Sequence, residues 1–348
     1  MDSLTQIVLG ASVAAAVVPA AHRRRAMAAG AILGTLPDLD GIPLSLLGAD
    51  AVTGVTWHRG PSHSLPVLLL AGWLIWLALR RWWAPVREAP RPWLWATWLA
   101  LLTHPLLDAF TVYGTQLLWP TTASPVMWSS LFIIDPGYTL PLIVGCIGAL
   151  WLGARAGGAR FIAWGLILST AYLGWSLTAK WMVARATAPV LAQQGLQDAP
   201  GFSVPMPLNT FLWRVVVQTP DGQFIEGYRS LLADRGAMRF QPIASDAAAL
   251  EAMKARPAVQ RLLWFTSGFM KATAEGDSLL LSDLRMGAEP DYTFVYRVAR
   301  RDGAQGAWQP IVPELVAQPR NIGRQWDAMW RRLWNEPAAP AALPAPRP

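Results

Sequence analysis

The first half of the chain alternates long apolar stretches with short polar breaks. Six such stretches stand out, at residues 4–21, 26–36, 64–79, 93–110, 138–154 and 161–183. A helix crossing a bilayer needs about 20 apolar residues and tolerates roughly 17. On this pattern the fold class is mainly α, a polytopic membrane helical bundle of about six membrane segments. The 26–36 stretch is short by itself, and either continues past Pro37 toward Leu47 or ends as a half-helix at the acidic turn. From about residue 184 the pattern changes. Residues 211–217, the dipeptide Asp221-Gly222 and residues 224–231 predict a β-hairpin with a tight turn. Residues 245–255 predict a helix behind a Ser or Asp cap. Residues 279–284 and 293–298 predict further strands. The expected organisation is therefore a membrane-embedded helical domain over 1–183, a soluble α+β domain over 184–335, and a disordered Pro/Ala-rich tail over 336–348.

Composition agrees with a membrane protein. Hydrophobic residues make up 53% of the 348 and charged residues only 15%, more apolar than a soluble domain usually is. Several of the 20 tryptophans, Trp82, Trp83, Trp93, Trp95, Trp119 and Trp128 among them, sit at the edges of apolar runs. There indole favours the membrane–water boundary. The net charge of +7 does not read as a nucleic-acid footprint, because the basic residues cluster at helix ends without an aromatic-interleaved patch. Those clusters are Arg23 to Arg25, then Arg80, Arg81, Arg87 and Arg91, then Arg155 and Arg160. They occupy alternate connections. With six crossings the positive-inside rule puts all three in the cytoplasm, with both termini and the C-terminal domain outside. The first apolar stretch is preceded by an acid and followed by the bases, the wrong polarity for a cleaved signal. The expected location is an inner, cytoplasmic-type membrane.

The candidate chemistry lies on the opposite, outward connections. One cysteine, Cys146, excludes an intramolecular disulfide and a thiolate zinc cluster, so a metal site here would use His and carboxylates. Pro37-Asp38-Leu39-Asp40 follows an apolar helix, and its two carboxylates can converge on one cation from an irregular turn. His58-Arg59-Gly60-Pro61-Ser62-His63-Ser64 is a loop that can fold two imidazoles toward one centre. In His104-Pro105-Leu106-Leu107-Asp108, the i, i+4 spacing stacks an imidazole and a carboxylate on one helix face. Each group also has a plain reading as a helix terminator, an interfacial loop or a cap. Together they weigh toward a metal, because ionisable groups near the bilayer are costly and a cation offsets that cost. His22 belongs to the basic cluster and reads as structural. Asp2 and Asp135 read as caps or loop acids.

These motifs, with Met1-Asp2-Ser3-Leu4-Thr5-Gln6, Gly34-Thr35-Leu36-Pro37-Asp38-Leu39-Asp40, Thr103-His104-Pro105-Leu106-Leu107-Asp108 and Tyr113-Gly114-Thr115-Gln116-Leu117-Leu118-Trp119-Pro120, resemble the YdjM-like (LexA-binding, inner-membrane-associated) family. Metal-dependent hydrolysis is ascribed to that family, which is distantly similar to zinc phospholipase C and P1 nuclease. The resemblance covers roughly residues 1–180. It implies Asp38, Asp40, His58, His63, His104 and Asp108 as metal ligands or their immediate neighbours. One departure is Gln6, where many relatives carry His; Gln is the poorer zinc ligand. The resemblance attaches nothing to the C-terminal half.

The expected function is hydrolysis of a phosphoester, lipid or lipid-linked, by a metal-activated water. One or two divalent ions would serve, zinc first and manganese second, with two ions roughly 3.5–4 Å apart when paired. Asp40 would share the binding or accept the water's proton, and Arg59 would steady a phosphate through its guanidinium fork. The expected partners are the lipid bilayer and that substrate, with no nucleic acid. Two rivals stand beside this reading: a metal-stabilised, non-catalytic envelope scaffold, and a cation transporter. The clustering of ionisable residues near one surface counts against transport.

Overall fold

The computed structural model describes residues 1–303, 306–317 and 322–337. The helical half comprises α1 (Ser3–Val17), α2 (Arg23–Thr35), α3 (Gly41–Leu46), α4 (Ala51–Trp57), α5 (Leu65–Trp82), α6 (Ala84–Glu88), α7 (Pro90–Asp108), α8 (Pro136–Leu152) and α9 (Ala156–Gln193). Helix α1 starts under an Asp2 cap that accepts from the Thr5 N–H at 3.0 Å. It runs through the middle of the half, packed against α2, α7, α8 and α9. Its approach to α2 is set by glycine. A Cβ on Gly10 would fall 2.2 Å from the Gly30 carbonyl oxygen, and one on Gly34 would fall 2.6 Å from that of Gln6. Small residues at a helix crossing let two backbones touch, and here they draw the end of α2 toward the end of α7.

The expectation of about six membrane segments is overturned. Among the described residues only α5 and α9 are long and apolar enough to cross a membrane. Helices α1 and α8 are apolar but run 15 and 17 residues. Helix α2 has 13 residues and opens on Arg23, Arg24 and Arg25. Helix α7 reaches 19 residues, but Arg91, His104, Asp108 and three prolines interrupt its apolar run. The physical reason is that apolar residues here serve helix-on-helix packing as well as a lipid face. Most of α1 is buried by its neighbours, whereas α5 exposes Leu70 and Leu74, and α9 exposes Trp164 and Ile167.

The change of composition at residue 184 falls inside α9, which continues unbroken to Gln193. Beyond it come β1 (Gly201–Pro205), β2 (Leu212–Gln218), β3 (Phe224–Ser230), β4 (Phe240–Ile243), α10 (Ala247–Met253), α11 (Pro257–Phe265), β5 (Met270–Glu275), β6 (Ser278–Asp283), β7 (Gly287–Ala288), β8 (Asp291–Tyr292), β9 (Val295–Arg300), β10 (Gln309–Leu315) and α12 (Ile322–Trp334). The expected hairpin is present as β2 and β3, antiparallel from Gln218↔Phe224 to Leu212↔Ser230. Asp246 caps α10 by accepting from the Ala249 N–H at 2.9 Å. Strands β1-β2-β3-β4 form one antiparallel sheet, β10-β9-β6-β5 a second, and β7-β8 a short ribbon.

The two sheets face each other. Phe202, Val216 and Phe224 of the first share a core with Leu280 and Val295 of the second. Because side chains alternate along a strand, Val215 and Val217 point the other way, onto Ala179 and Val183 of α9. The outer face of the second sheet, through Leu281 and Val298, is covered by α10, α11 and Val52 of α4. The result is four layers, helix, sheet, sheet, helix, with the helical half contributing to both outer ones. Of the expected tail, Glu336 folds back to accept from the Gly236 N–H at 2.9 Å, and residues 338–348 lie outside the described residues.

Candidate metal centre

Three separate elements bring four side chains to one point. Asp38 comes from the 3-10 turn that extends α2 (Leu36–Asp40). His63 comes from the 3-10 turn Pro61–His63 just before α5. His104 and Asp108 occupy the last turn of α7. One donor atom from each lies within 4.8 Å of the other three. The Nε2 atoms of His63 and His104 are 3.1 Å apart, and each stands 3.3 Å from Asp38 Oδ1. Asp108 Oδ2 is 3.3 Å from His63 Nε2 and 3.5 Å from His104 Nε2. His63, His104 and Asp108 have no solvent exposure.

The surrounding hydrogen bonds settle which ring nitrogens face the centre. His104 Nδ1 is 2.5 Å from the Gly34 carbonyl oxygen. A carbonyl only accepts, so Nδ1 carries a proton and Nε2 is the nitrogen turned to the centre. Against the pull of burial, Asp108 and Asp38 raise this imidazole to about 9, so a metal would displace a proton from Nε2. Ser62 donates its hydroxyl to Asp40 Oδ2 at 2.5 Å, so its oxygen accepts from His63 Nδ1 at 2.9 Å. His63 Nε2 is thereby also turned inward. Asp38 Oδ1 and Asp108 Oδ2 are buried and make no hydrogen bond of good geometry, their nearest polar neighbours being the two imidazoles and, for Asp108, Arg59. Once a metal displaces any proton on the two Nε2 atoms, four lone-pair donors converge on one point. Two imidazoles and two carboxylates, each imidazole oriented by a second partner, make a donor set that could hold a divalent metal ion. Burial alone would raise the Asp38 carboxyl, but hydrogen bonds from His104 and His63 hold it well below the usual carboxylate range.

Asp40 and His58 stand beside this group. Asp40 Oδ1 meets His58 Nδ1 at 2.7 Å, while Oδ2 accepts from Ser62 and from the Arg59 N–H at 3.2 Å. Both carboxylate oxygens are thus committed away from the centre. Against the pull of burial, the bonds from His58 and Ser62 lower the Asp40 carboxyl. The His58 ring lies edge-on to His63 with centroids 5.7 Å apart. Arg59 adopts φ 62°, the left-handed region unusual for a side chain of its size. The turn buries its guanidinium with Nε 3.1 Å from Asp108 Oδ2, Nη1 3.1 Å from Thr111 Oγ1 and the Tyr113 ring at 4.8 Å. The amino group of Met1 and Gln6 Nε2 reach the other oxygen of Asp108, Gln6 at 3.1 Å. Gln6 Oε1 is buried without a partner, and Gln6 is not among the four.

Residues 1–183 match the family model described as YdjM inner membrane protein. The chain belongs to this family. It is 28% identical over 180 residues to the Bacillus subtilis (strain 168) protein named Uncharacterized protein YfhP, an alignment covering 50% of this chain and 53% of that one. The chain thus spans about half the length of the curated relative it matches. No solved structure matches it. All four converging residues, with Asp40, His58 and Arg59, fall within the region that matches the family.

Sequence reasoning missed the supports of this YdjM-family centre. Thr56, ahead of the His58 loop, is gripped from α11. Arg261 Nε donates to its hydroxyl at 3.0 Å and Nη2 to its carbonyl at 3.2 Å, and Gln116 Nε2 donates to that carbonyl at 2.8 Å. Tyr113 Oη donates to the Val55 carbonyl at 2.8 Å, and Arg285 Nη1 holds the Tyr113 carbonyl at 2.9 Å. The C-terminal half therefore braces the loop that carries His58 and His63. Tyr113 and Gln116 lie in a motif that carried the family resemblance, but nothing in the spacing of Arg261 or Arg285 pointed to this role.

Proposed function

We propose that this protein is a metal-dependent hydrolase acting on a phosphoester at a membrane surface. The reading rests on the convergence of Asp38, His63, His104 and Asp108, whose potential ligand atoms lie within 4.8 Å of one another. A divalent ion held there would supply charge to a phosphate oxygen and acidify a water. Asp40 fixes His58 through Nδ1, leaving Nε2 as the nitrogen suited to take or return a proton at the rim. Arg59, held by Asp108 and Thr111, balances the charge of the acidic wall and is the nearest guanidinium to an entering anion. Leu39, Ile42, Leu46, Leu47 and Trp57, on the segments that carry Asp38, Asp40 and His58, are exposed, which supports a substrate reached from lipid.

The centre and the C-terminal half are proposed to face outward. Helices α2, α5 and α7 each carry arginines at one end and the centre at the other. Basic ends favour the cytoplasm. Single cysteines placed at Leu47 and at Arg87, labelled in intact cells by an impermeant thiol reagent, test this: the first should react and the second should not.

A second reading, a structural ion pinning α2, α5 and α7 together, draws on the number of donors, since four close a tetrahedron. Elemental analysis of the purified protein beside a His104→Ala/Asp108→Ala variant tests both. Zinc or manganese lost in a folded variant, with release of phosphate or alcohol from phosphoester substrates, supports hydrolysis. Cobalt substitution separates the readings, because an absorption spectrum of a closed four-coordinate site that substrate analogues leave unchanged favours the structural one. A parent that takes up no metal after reconstitution overturns both.

A further inference from the structure

A cavity of about 620 Å³ opens between β1, the β7–β8 ribbon, α12 and the segment leading into α8. Its volume lies within the ~300–1,000 Å³ usual for small-molecule sites. The wall is mostly apolar, with Val204, Met206, Leu212, Met286, Trp326 and Met329 prominent. Into this lining is set Arg214, which is fully buried. Its Nε donates to Glu226 at 2.7 Å and its Nη1 to the Leu284 carbonyl at 2.6 Å, while Nη2 makes no hydrogen bond of good geometry, the Tyr228 hydroxyl being a polar neighbour of the guanidinium. An unmade donor in an apolar wall is costly. The other wall cations are committed: Arg285 to Asp283, and Arg332 to Asp234.

We propose that this cavity binds a single-chain amphiphile, its apolar tail along the methionines and an acyl oxygen of its head accepting from Arg214 Nη2. Glu226 already balances Arg214, so the head must supply an acceptor rather than a full charge. A fatty carboxylate and a fatty ester share that chemistry. The route in is also apolar. Ile134 and Leu208 line the cavity and are exposed. Ile134 leads directly into α8, whose Leu140, Val144, Ile147 and Trp151 form an exposed stripe at helical spacing. The site is distinct from the metal centre: Val112 lines the cavity, while the ring of the next residue, Tyr113, packs over Arg59.

The test uses the full chain in phosphatidylcholine nanodiscs, with palmitate, methyl palmitate and hexadecane probes each carrying a mid-chain diazirine. After illumination, saturable labelling of about one probe per chain is expected at residues 204–208 and 286–288, displaced by unlabelled palmitate. Met286→Trp and, independently, Ala288→Trp fill the cavity and should cut that labelling at least tenfold. The paired Arg214→Met/Glu226→Met variant removes donor and counter-charge together, and should abolish the preference for acid and ester over hexadecane. Acid favoured over ester identifies a carboxylate head, and equal binding identifies an ester-type head; both support the site. Labelling confined to the exposed faces of α5 and α9 would overturn it. So would folded filling variants that label like the parent, or hexadecane binding as tightly as the headed probes.

Discussion

Gly34→Ala changes a residue that offers no ligand, yet it should weaken the metal centre. The added Cβ would fall 2.6 Å from the Gln6 carbonyl oxygen, where ordinary contact begins near 3.4 Å. Helices α1 and α2 must then part by roughly 0.8 Å, an overpacking that costs about 1–3 kcal/mol. Gly34 is also the residue whose carbonyl orients His104, at 2.5 Å from Nδ1. A shift of that size stretches the bond to roughly 3.3 Å, near the limit of a useful N–H···O contact. Losing the orienting partner of a metal-bound imidazole typically costs 10–100-fold in affinity, or about 1.4–2.8 kcal/mol. The assay is zinc titration against a competing chelator, with helix content followed by circular dichroism. Gly41→Ala is the control, since nothing lies within 4 Å of its added methyl. Wild-type affinity in folded Gly34→Ala, or an equal loss in the control, would refute the argument that this carbonyl aims His104.

Three further outcomes are expected. Because the folded Asp38 and Asp40 carboxyls lie below their ordinary value, the stability they contribute is present above about pH 4 and is lost only as the pH falls through the depressed values. They stay ionised between pH 8 and 5, so zinc release over that window reports proton competition at imidazole; occupancy as high at pH 5 as at pH 8 would show that no imidazole ligates. Asp40→Asn should leave metal stoichiometry unchanged while phosphoester turnover falls about 10²–10⁴-fold, and loss of the metal instead would make Asp40 a ligand. Arg261→Ala removes two bonds to Thr56, each worth about 1.5–3 kcal/mol at most when the donor is charged. Hydrogen exchange at residues 51–63 should quicken, and unchanged protection there would show that α11 does not brace the loop.

The β2–β3 hairpin was legible because runs rich in apolar and aromatic residues flank an Asp-Gly turn, both of them local signals. The identities of the converging residues were legible too, since His and Asp in apolar surroundings are conspicuous. Their division of labour was not. His58 and His63 lie five residues apart in one loop, and only the left-handed turn at Arg59 and the 3-10 turn after it send His63 inward and leave His58 beside Asp40. The number of membrane segments was over-read for a related reason. Hydropathy does not distinguish an apolar face turned to lipid from one turned to another helix, and α1 is mostly the latter. The braces from Arg261 and Arg285 span more than 170 residues of chain, a separation at which no periodicity survives.

The family region ends at residue 183, ten residues before α9 does. A shortened chain stopped at that boundary would keep every ligand yet sever a helix in mid-run. It would also strip Val52, Val112, Ala179 and Val183 of the partners that cover them. The ligand-bearing portion is therefore not a portable cassette in this protein. Grafting it onto another scaffold would require a substitute surface that seats Val52 and grips Thr56, and swapping the sheets for foreign ones would be felt first at His58.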